Sequence, residues 1–369
     1  MSRRIFRVFY QLYCLALGVF RTAKSPYRLL VACPNDFHFF HLRPLIEKLA
    51  ADPAFKIQLI AFEGAHIDPV EGVEIVHKKD LKKHILKPVD MFLTTEFIDP
   101  PSWFATTKLV FFLHGIGPKV SYFASPKLAK FDVILAPSPF VADHQRPFLK
   151  PGAQIVSTGL PALDVFVRDD KATVEPSHEK KGRPVLLYAP SWSADPEQIS
   201  ADRAIIQAII AQDVCDCIIR PHPLLMSSGR QGNPKIKQLL DEAEATNPAI
   251  RIHSGPGTSI YDVLPQADIL MSDISSVLYE FLIFDRPILL YLKDGVAGFY
   301  DAEDIIEKTR RASFEVSDPG SFHDALMKSI AQPTAHALER CQLLDVMLYN
   351  PGNATTAIVS LIEKYAERK

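Results

Sequence analysis

Cysteine is scarce in this chain of 369 residues, which has five: Cys14, Cys33, Cys215, Cys217 and Cys341. A low, odd count argues against a disulfide-stapled secreted fold and suits a reducing compartment, so a cytoplasmic protein is expected. Cys215 and Cys217 lie in one apolar run ending in Arg220. On a strand both side chains face the same side, which favours core packing over a redox or metal pair. Net charge is nearly absent as well, at -2. No whole-chain field attracts nucleic acid, and zinc-finger spacing and a basic, aromatic-interleaved stripe are both missing, so no nucleic-acid partner is expected. There is no internal repeat of solenoid period. There is also no Asp-x-Asp pair to hold a divalent ion under a pyrophosphate, and the histidine spacings match no metal motif. No metal and no cofactor are expected, and helix ends and cations must meet the charge of any bound phosphate.

What is present is ordinary globular material, 47% hydrophobic and 23% charged. The length exceeds the roughly 250–300 residues that one core supports, so two domains are expected. Residues 1–25 are the compositional exception. Arg3 and Arg4 precede an apolar stretch from Ile5 to Phe20, interrupted by Arg7 and Gln11 and closed by Arg21 and Lys24. The stretch falls short of the roughly 20 apolar residues of a spanning helix and lacks a small-residue cleavage site. It reads as an amphipathic helix that either lies on an anionic membrane surface or packs on its own domain.

From Tyr27 onward, short apolar runs alternate with helical ones. Strands are expected at 27–33, 55–62, 90–94, 108–113, 132–136 and 154–157, with a helix over 38–51. The continuous apolar run Leu109 to Leu113 has the look of a strand buried on both faces. The charged stretch 170–183 is the expected linker between a first Rossmann-like domain, 26–169, and a second, 184–350. The second repeats the rhythm, with strands at 184–188, 216–220, 251–253, 268–271 and 287–291 and helices over 204–211 and 236–245. Two helices, 336–347 and 354–367, end the chain, and residues 351–369 are expected to cover a sheet face.

Ligands of open α/β sheets sit at the carboxyl ends of strands, and four strand ends carry chemistry. Ser272 to Ser276 joins a strand to a helix. The N–H groups of that helix, its dipole and the hydroxyls of Ser275 and Ser276 form a phosphate site, with Asp273 shaping the loop. The alternative is an ordinary helix cap. Arg220-Pro221-His222-Pro223 puts a guanidinium and an imidazole into a rigid turn. Arg220 suits bidentate phosphate contact, and a protonated His222 suits a leaving phosphate. The alternative is a surface turn. His114, followed by Gly115 and Gly117, is either a base for an alcohol or a histidine satisfied by a backbone carbonyl. Ser191 follows a strand in Tyr188-Ala189-Pro190-Ser191-Trp192. Gly257 and Thr258, in the turn Gly255 to Ser259, are weaker nucleotide contacts, since this turn lacks the lysine of a phosphate loop. His38, His41 and His253 read as structural.

Taken in order, His114-Gly115 with Lys119, Gly159-Leu160-Pro161 with Asp164, Tyr188 to Trp192, Arg220 to Pro223, and Ala267 to Ser276 resemble the CDP-glycerol glycerophosphotransferase family of teichoic acid primases and polymerases. The resemblance runs from about His114 to Tyr291. It implies a GT-B fold, two Rossmann-like domains with parallel sheets facing across a cleft. It also implies a CDP-glycerol donor on the second domain, an acceptor on the first, and peripheral attachment to the inner face of a bacterial membrane. It assigns His114 as base and His222 to the donor pyrophosphate, with Ser275 and Ser276 lining the phosphate site. This chain departs from the pattern at Ile116, Ile274 and Ser193. Its compact first half suggests one or few additions rather than processive synthesis. Two other readings stay open. One is a GT-B glycosyltransferase or UDP-sugar 2-epimerase using Asp273, Glu280 and Asp294, and the other is a non-catalytic nucleotide-binding protein.

Overall fold

A computed structural model of the chain describes residues 25–62, 65–80, 88–98, 106–168, 171–172, 182–192, 195–226, 232–292 and 302–367, together with Val8, Leu12 and Tyr13. The rest of the basic N-terminal segment before Ser25 lies outside the described residues, as do Ser193, Asp294 and most of 170–183. No helix among the described residues is long and apolar enough to cross a membrane. The chain divides into two compact units: Met1–His114 with Tyr122–Val165 and Tyr349–Lys369, and Gly115–Ser121 with Phe166–Leu348.

In the first unit, β1 (Tyr27–Cys33) leads into α1 (Asp36–Ala50), β2 (Phe55–Ala61), β3 (Val73–His77), β4 (Met91–Thr94), β5 (Lys108–Phe112), β6 (Val133–Ala136), α2 (Pro139–Gln145) and β7 (Gln154–Ser157). The seven strands form one sheet in the order β3-β2-β1-β4-β5-β6-β7, and every pairing is parallel. All four residues of β4 and of β6 are buried, as a sheet covered on both faces requires. Starting a parallel strand leaves an N–H without a ladder partner, and an acid on the neighbouring strand's approach supplies one. Asp90 accepts from Arg28 N–H and Asp132 from Leu109 N–H, each at 2.8 Å.

The second unit opens with a two-residue ribbon, β8 (Val167–Arg168) with β9 (Lys171–Ala172). There follow β10 (Val185–Tyr188), α3 (Pro196–Ala211), β11 (Asp216–Ile219), α4 (Pro234–Thr246), β12 (Ile250–Ile252), β13 (Ile269–Ser272), α5 (Ser276–Phe281), β14 (Ile288–Tyr291), α6 (Glu303–Arg311), β15 (Phe314–Val316), α7 (Phe322–Ala331) and α8 (Ala337–Met347). The sheet order is β12-β11-β10-β13-β14-β15, again all parallel. The acid device recurs where Asp268 accepts from Val185 N–H at 2.9 Å. Cys215 and Cys217 pack in this unit's core with Ile205, Ile236 and Met271, so the C-x-C pair is structural. Helices α3 and α4 begin earlier than their apolar rhythm suggests. Asp195 and Asn233 each cap two N–H groups, and a proline follows at the first helical position.

Both sheets reverse their winding direction once, between β1 and β4 and between β10 and β13. Loops on either side of such a reversal leave the sheet in opposite directions and open a crevice for ligands.

Candidate functional site

In the second unit the loops at the reversal are tied together. After β10, Ser191 donates its N–H to Asp273 Oδ1 at 2.9 Å, and its hydroxyl donates to Asp273 Oδ2. After β13, the Ser272 hydroxyl donates to Ala189 O at 2.6 Å and meets the Ser275 hydroxyl at 2.9 Å. Asp273 is buried, so its carboxylate braces the loop and is not presented to a phosphate. Ser275 is the N-cap of α5, yet its side chain bonds none of the helix N–H groups. The plain helix-cap reading therefore fails for Ser275, and its half-buried hydroxyl and that of Ser276 stand beside the helix start. The helix is short, six residues followed by a 3-10 turn at Leu282–Phe284. Its dipole is correspondingly modest, and N–H groups and hydroxyls dominate any anion contact.

Gly115 packs on this turn. Its φ is +85°, and a Cβ there would stand 3.3 Å from Ser276 Cβ. The glycine therefore makes room for Ser276. Gly115 follows His114 directly in the chain.

Arg220 and His222 end β11. The Arg220 guanidinium donates to His253 O and to the Thr258 hydroxyl, both at 2.9 Å, and to Thr258 O at 3.0 Å. Three of its five N–H groups are thus committed to the turn containing Gly257, whose φ is +74°. Arg220 braces that turn against Thr258, and two of its N–H groups are left over for the phosphate contact expected of it. His222 departs from expectation. Burial, then the Arg220 charge and Lys119, push its pKa down to about 4 against the opposing pull of Asp273. Its Nδ1 accepts from Leu224 N–H at 3.2 Å, so the neutral ring carries its proton on Nε2. In the chain alone His222 is a neutral hydrogen-bond donor. Lys119 is exposed in the same unit.

The reversal in the first unit carries a cluster that sequence reasoning only half identified. His38 lies in the first turn of α1, Thr95 and Glu96 follow β4, and His114 follows β5. His114 Nδ1 donates to Thr95 O at 2.6 Å, and His38 Nδ1 meets the Thr95 hydroxyl at 2.8 Å. The Nε2 atoms of His38 and His114 stand 3.5 and 3.6 Å from Glu96 Oε1, which also accepts from the Tyr122 hydroxyl at 3.3 Å. The His38 and His114 rings meet edge to face with centroids 4.3 Å apart. Burial lowers the pKa of all three histidines here, His38 to about 3, His41 well below its ordinary value, and His114 against the upward pull of Glu96 and the Thr95 bond. Sequence reasoning did not single out Glu96 or Tyr122 and read His38 as structural. No spacing in the sequence links these residues, and only the sheet order brings them together.

Two further residues named in the sequence are held within the fold. Asp164 accepts from Ala354 N–H at 3.1 Å and Thr355 N–H at 2.6 Å, capping the last helix (Ala354–Glu367). Glu280 is buried without a partner of good hydrogen-bond geometry. Burial pushes its carboxyl up to about 8, although the hydroxyls of Tyr261 and Ser276 lean on it and lower it. A surface depression lined by Arg146, Gln154, Lys364 and Tyr365 contains none of the candidate residues.

The profile of the family described as CDP-Glycerol:Poly(glycerophosphate) glycerophosphotransferase matches residues 125–363. The teichoic acid glycerol-phosphate primase of Bacillus subtilis (strain 168) is 26% identical over 145 residues, which is 38% of this chain and 34% of that protein. The matched stretch thus spans about a third of that relative's length. Among solved structures, the wall teichoic acid polymerase TagF matches with a TM-score of 0.69 at 13% identity, covering 99% of this chain and 98% of that one. A UDP co-structure of S. aureus MnaA matches at 0.61 and 14%, covering 92% and 97%. The fold is GT-B, as expected.

Proposed function

This chain belongs to the CDP-Glycerol:Poly(glycerophosphate) glycerophosphotransferase family, and we propose that it transfers a glycerol-phosphate or related polyol-phosphate unit from a CDP-linked donor to an acceptor hydroxyl, releasing CMP. The acceptor is a lipid-linked or cell-surface glycan of the teichoic acid type. The observation that carries this reading is the uncapped start of α5, with the Ser275 and Ser276 hydroxyls beside it on a loop braced by Asp273 and Ser191. It is a rigid array of donors without a negative charge of its own facing the ligand.

In the proposed reaction the acceptor hydroxyl gives its proton to His114 Nε2 as its oxygen attacks the glycerol-bearing phosphorus. The bond from that phosphorus to the CMP oxygen breaks, and CMP leaves with the bonding pair. Charge on the leaving phosphate is met by the α5 N–H groups and the Nε2–H of His222, and by the two serine hydroxyls once they turn from Ser272 and Glu280. Such transfer depends on positioning and charge stabilisation and needs no covalent intermediate. Glu280, a carboxylate that a sugar-nucleotide reading would use, is buried and raised to about 8, which weighs against that reading.

The same reading gives the donor to the second unit and the acceptor to the first. It puts the protein in the cytoplasm, peripheral to the inner face of the membrane through residues 1–25. Thermal stabilisation by CDP-glycerol, CDP-ribitol and UDP-sugars tests it. Stabilisation by the cytidine ligands is expected, and a response to uridine ligands alone overturns it.

A further inference from the structure

We infer that Nε2 of His38, Nε2 of His114 and a carboxylate oxygen of Glu96 form a three-ligand site for a divalent transition-metal ion of the zinc class. The three ligand atoms lie within 4.8 Å of one another, and both nitrogens stand 3.5–3.6 Å from Glu96 Oε1. Ligands bound at about 2.0–2.1 Å in a tetrahedral shell are roughly 3.3–3.4 Å apart. The two nitrogen–oxygen edges are therefore within a few tenths of an ångström of a tetrahedral shell, and the two nitrogens lie within 4.8 Å of each other.

The outer contacts match what a metal-bound imidazole requires. Such a ring uses its second nitrogen on a carbonyl, carboxylate or hydroxyl, which fixes its orientation and directs the other lone pair at the metal. Both Nδ1 atoms here are held by a single residue, Thr95, one through its carbonyl and one through its hydroxyl. A carbonyl only accepts, so the proton of neutral His114 is on Nδ1, and its Nε2 lone pair faces a carboxylate oxygen. Two acceptors facing each other repel unless a cation or a proton lies between them. The His114 side chain is 11% exposed and that of Glu96 33%, so solvent screens the contact only in part.

Two imidazoles and one carboxylate suit zinc and its neighbours better than magnesium or calcium, which take all-oxygen shells. Three protein ligands leave one tetrahedral position for water or a hydroxyl. The inference rests on the cluster itself and not on the transfer reaction. An ion on His114 Nε2 occupies the lone pair that the proposed base uses, so the metal-free chain is the transferring form and the zinc-loaded chain should not release CMP; metal content and CMP release therefore test the two readings separately.

The full-length protein, stripped with chelator and given one equivalent of zinc, is desalted and analysed for metal. The expected result is one ion retained per chain. X-ray absorption at the zinc edge should show two imidazoles and a carboxylate oxygen, and Glu96→Gln should bind at least about tenfold more weakly. Glu96→Gln is near-isosteric at a partly exposed position, and an unchanged circular dichroism spectrum establishes that it folds. No retained zinc in the wild-type chain, a thiolate-bound ion, or unchanged affinity in Glu96→Gln each overturns the site.

Discussion

His114 donates from Nδ1 to the backbone carbonyl of Thr95 over 2.6 Å. One end of the ring is thereby fixed to the scaffold, and the other keeps a lone pair directed at Glu96, 3.6 Å away. A carbonyl-satisfied histidine and a base-competent one are the same residue here, because each role uses a different nitrogen.

The pH profile of transfer follows from that arrangement. Burial lowers the His114 pKa below 6.5, while Glu96 raises it. The rate should climb with pH through an apparent pKa under 6.5 and then level off. Glu96→Gln removes the raising charge and should move the acidic limb to lower pH. His114→Ala should lower kcat by about 10²–10⁴. An acidic limb that does not move in Glu96→Gln contradicts the coupling.

Asp273 is assigned to hold Ser191 rather than to touch phosphate. Asp273→Ala leaves the Ser191 N–H without its acceptor and should cost about 1–3 kcal/mol. Asp273→Asn keeps an acceptor for that N–H, and its amide can donate to the Ser191 hydroxyl, so stability should change by less than about 1 kcal/mol. Denaturant titration of both proteins checks this. Equal losses would show that the charge, not the bracing, matters.

Asp164 caps the last helix, so Asp164→Ala should destabilise by about 0.5–2 kcal/mol and speed hydrogen exchange at Ala354 and Thr355, with transfer at saturating substrate unchanged. The neighbouring Gly159 has a similar structural reason. Its φ is +85°, and a Cβ would fall 2.3 Å from Tyr349 O. A specific fall in kcat for Asp164→Ala would return that residue to the chemistry.

Glu280 makes alkaline stability testable. Its carboxyl is raised from 4.5 to about 8 by burial. Between those values the folded chain holds a proton that the unfolded chain releases, so this stabilisation is full below 4.5 and lost as pH rises through 8. Glu280→Gln stays neutral throughout. Its melting temperature should therefore fall less than that of the wild type between about pH 6 and 9, at roughly 2–4 °C per kcal/mol. His222 acts in the other direction: lowered to about 4, it costs stability as pH falls from 6.5 toward that value. Parallel alkaline curves for the two proteins would mean that Glu280 is ionised when folded.

The inner strands were legible because burial on both faces writes them as unbroken apolar runs. The edge strands β3 and β15 were not expected, although the equally short and exposed edge strands β7 and β12 were. The paired serines, His114 and His222 stand out as candidates because each lies at the end of such a run. The bracing contacts of Arg220 and Asp273 do not show in the sequence, because side chains suited to phosphate contact are equally suited to bracing a turn. Glu96 could not be found at all: it becomes a neighbour of His38 and His114 only once β4 inserts between β1 and β5.

The central claim is that the chain moves a polyol-phosphate unit, and product mass tests it most directly. Purified protein given CDP-glycerol and a panel of lipid-linked glycan acceptors should release one CMP for each glycerol-phosphate gained by the acceptor, with the gain abolished in His114→Ala. Acceptors that gain a sugar mass from a UDP-sugar, or no mass while the nucleotide is consumed, would contradict the account.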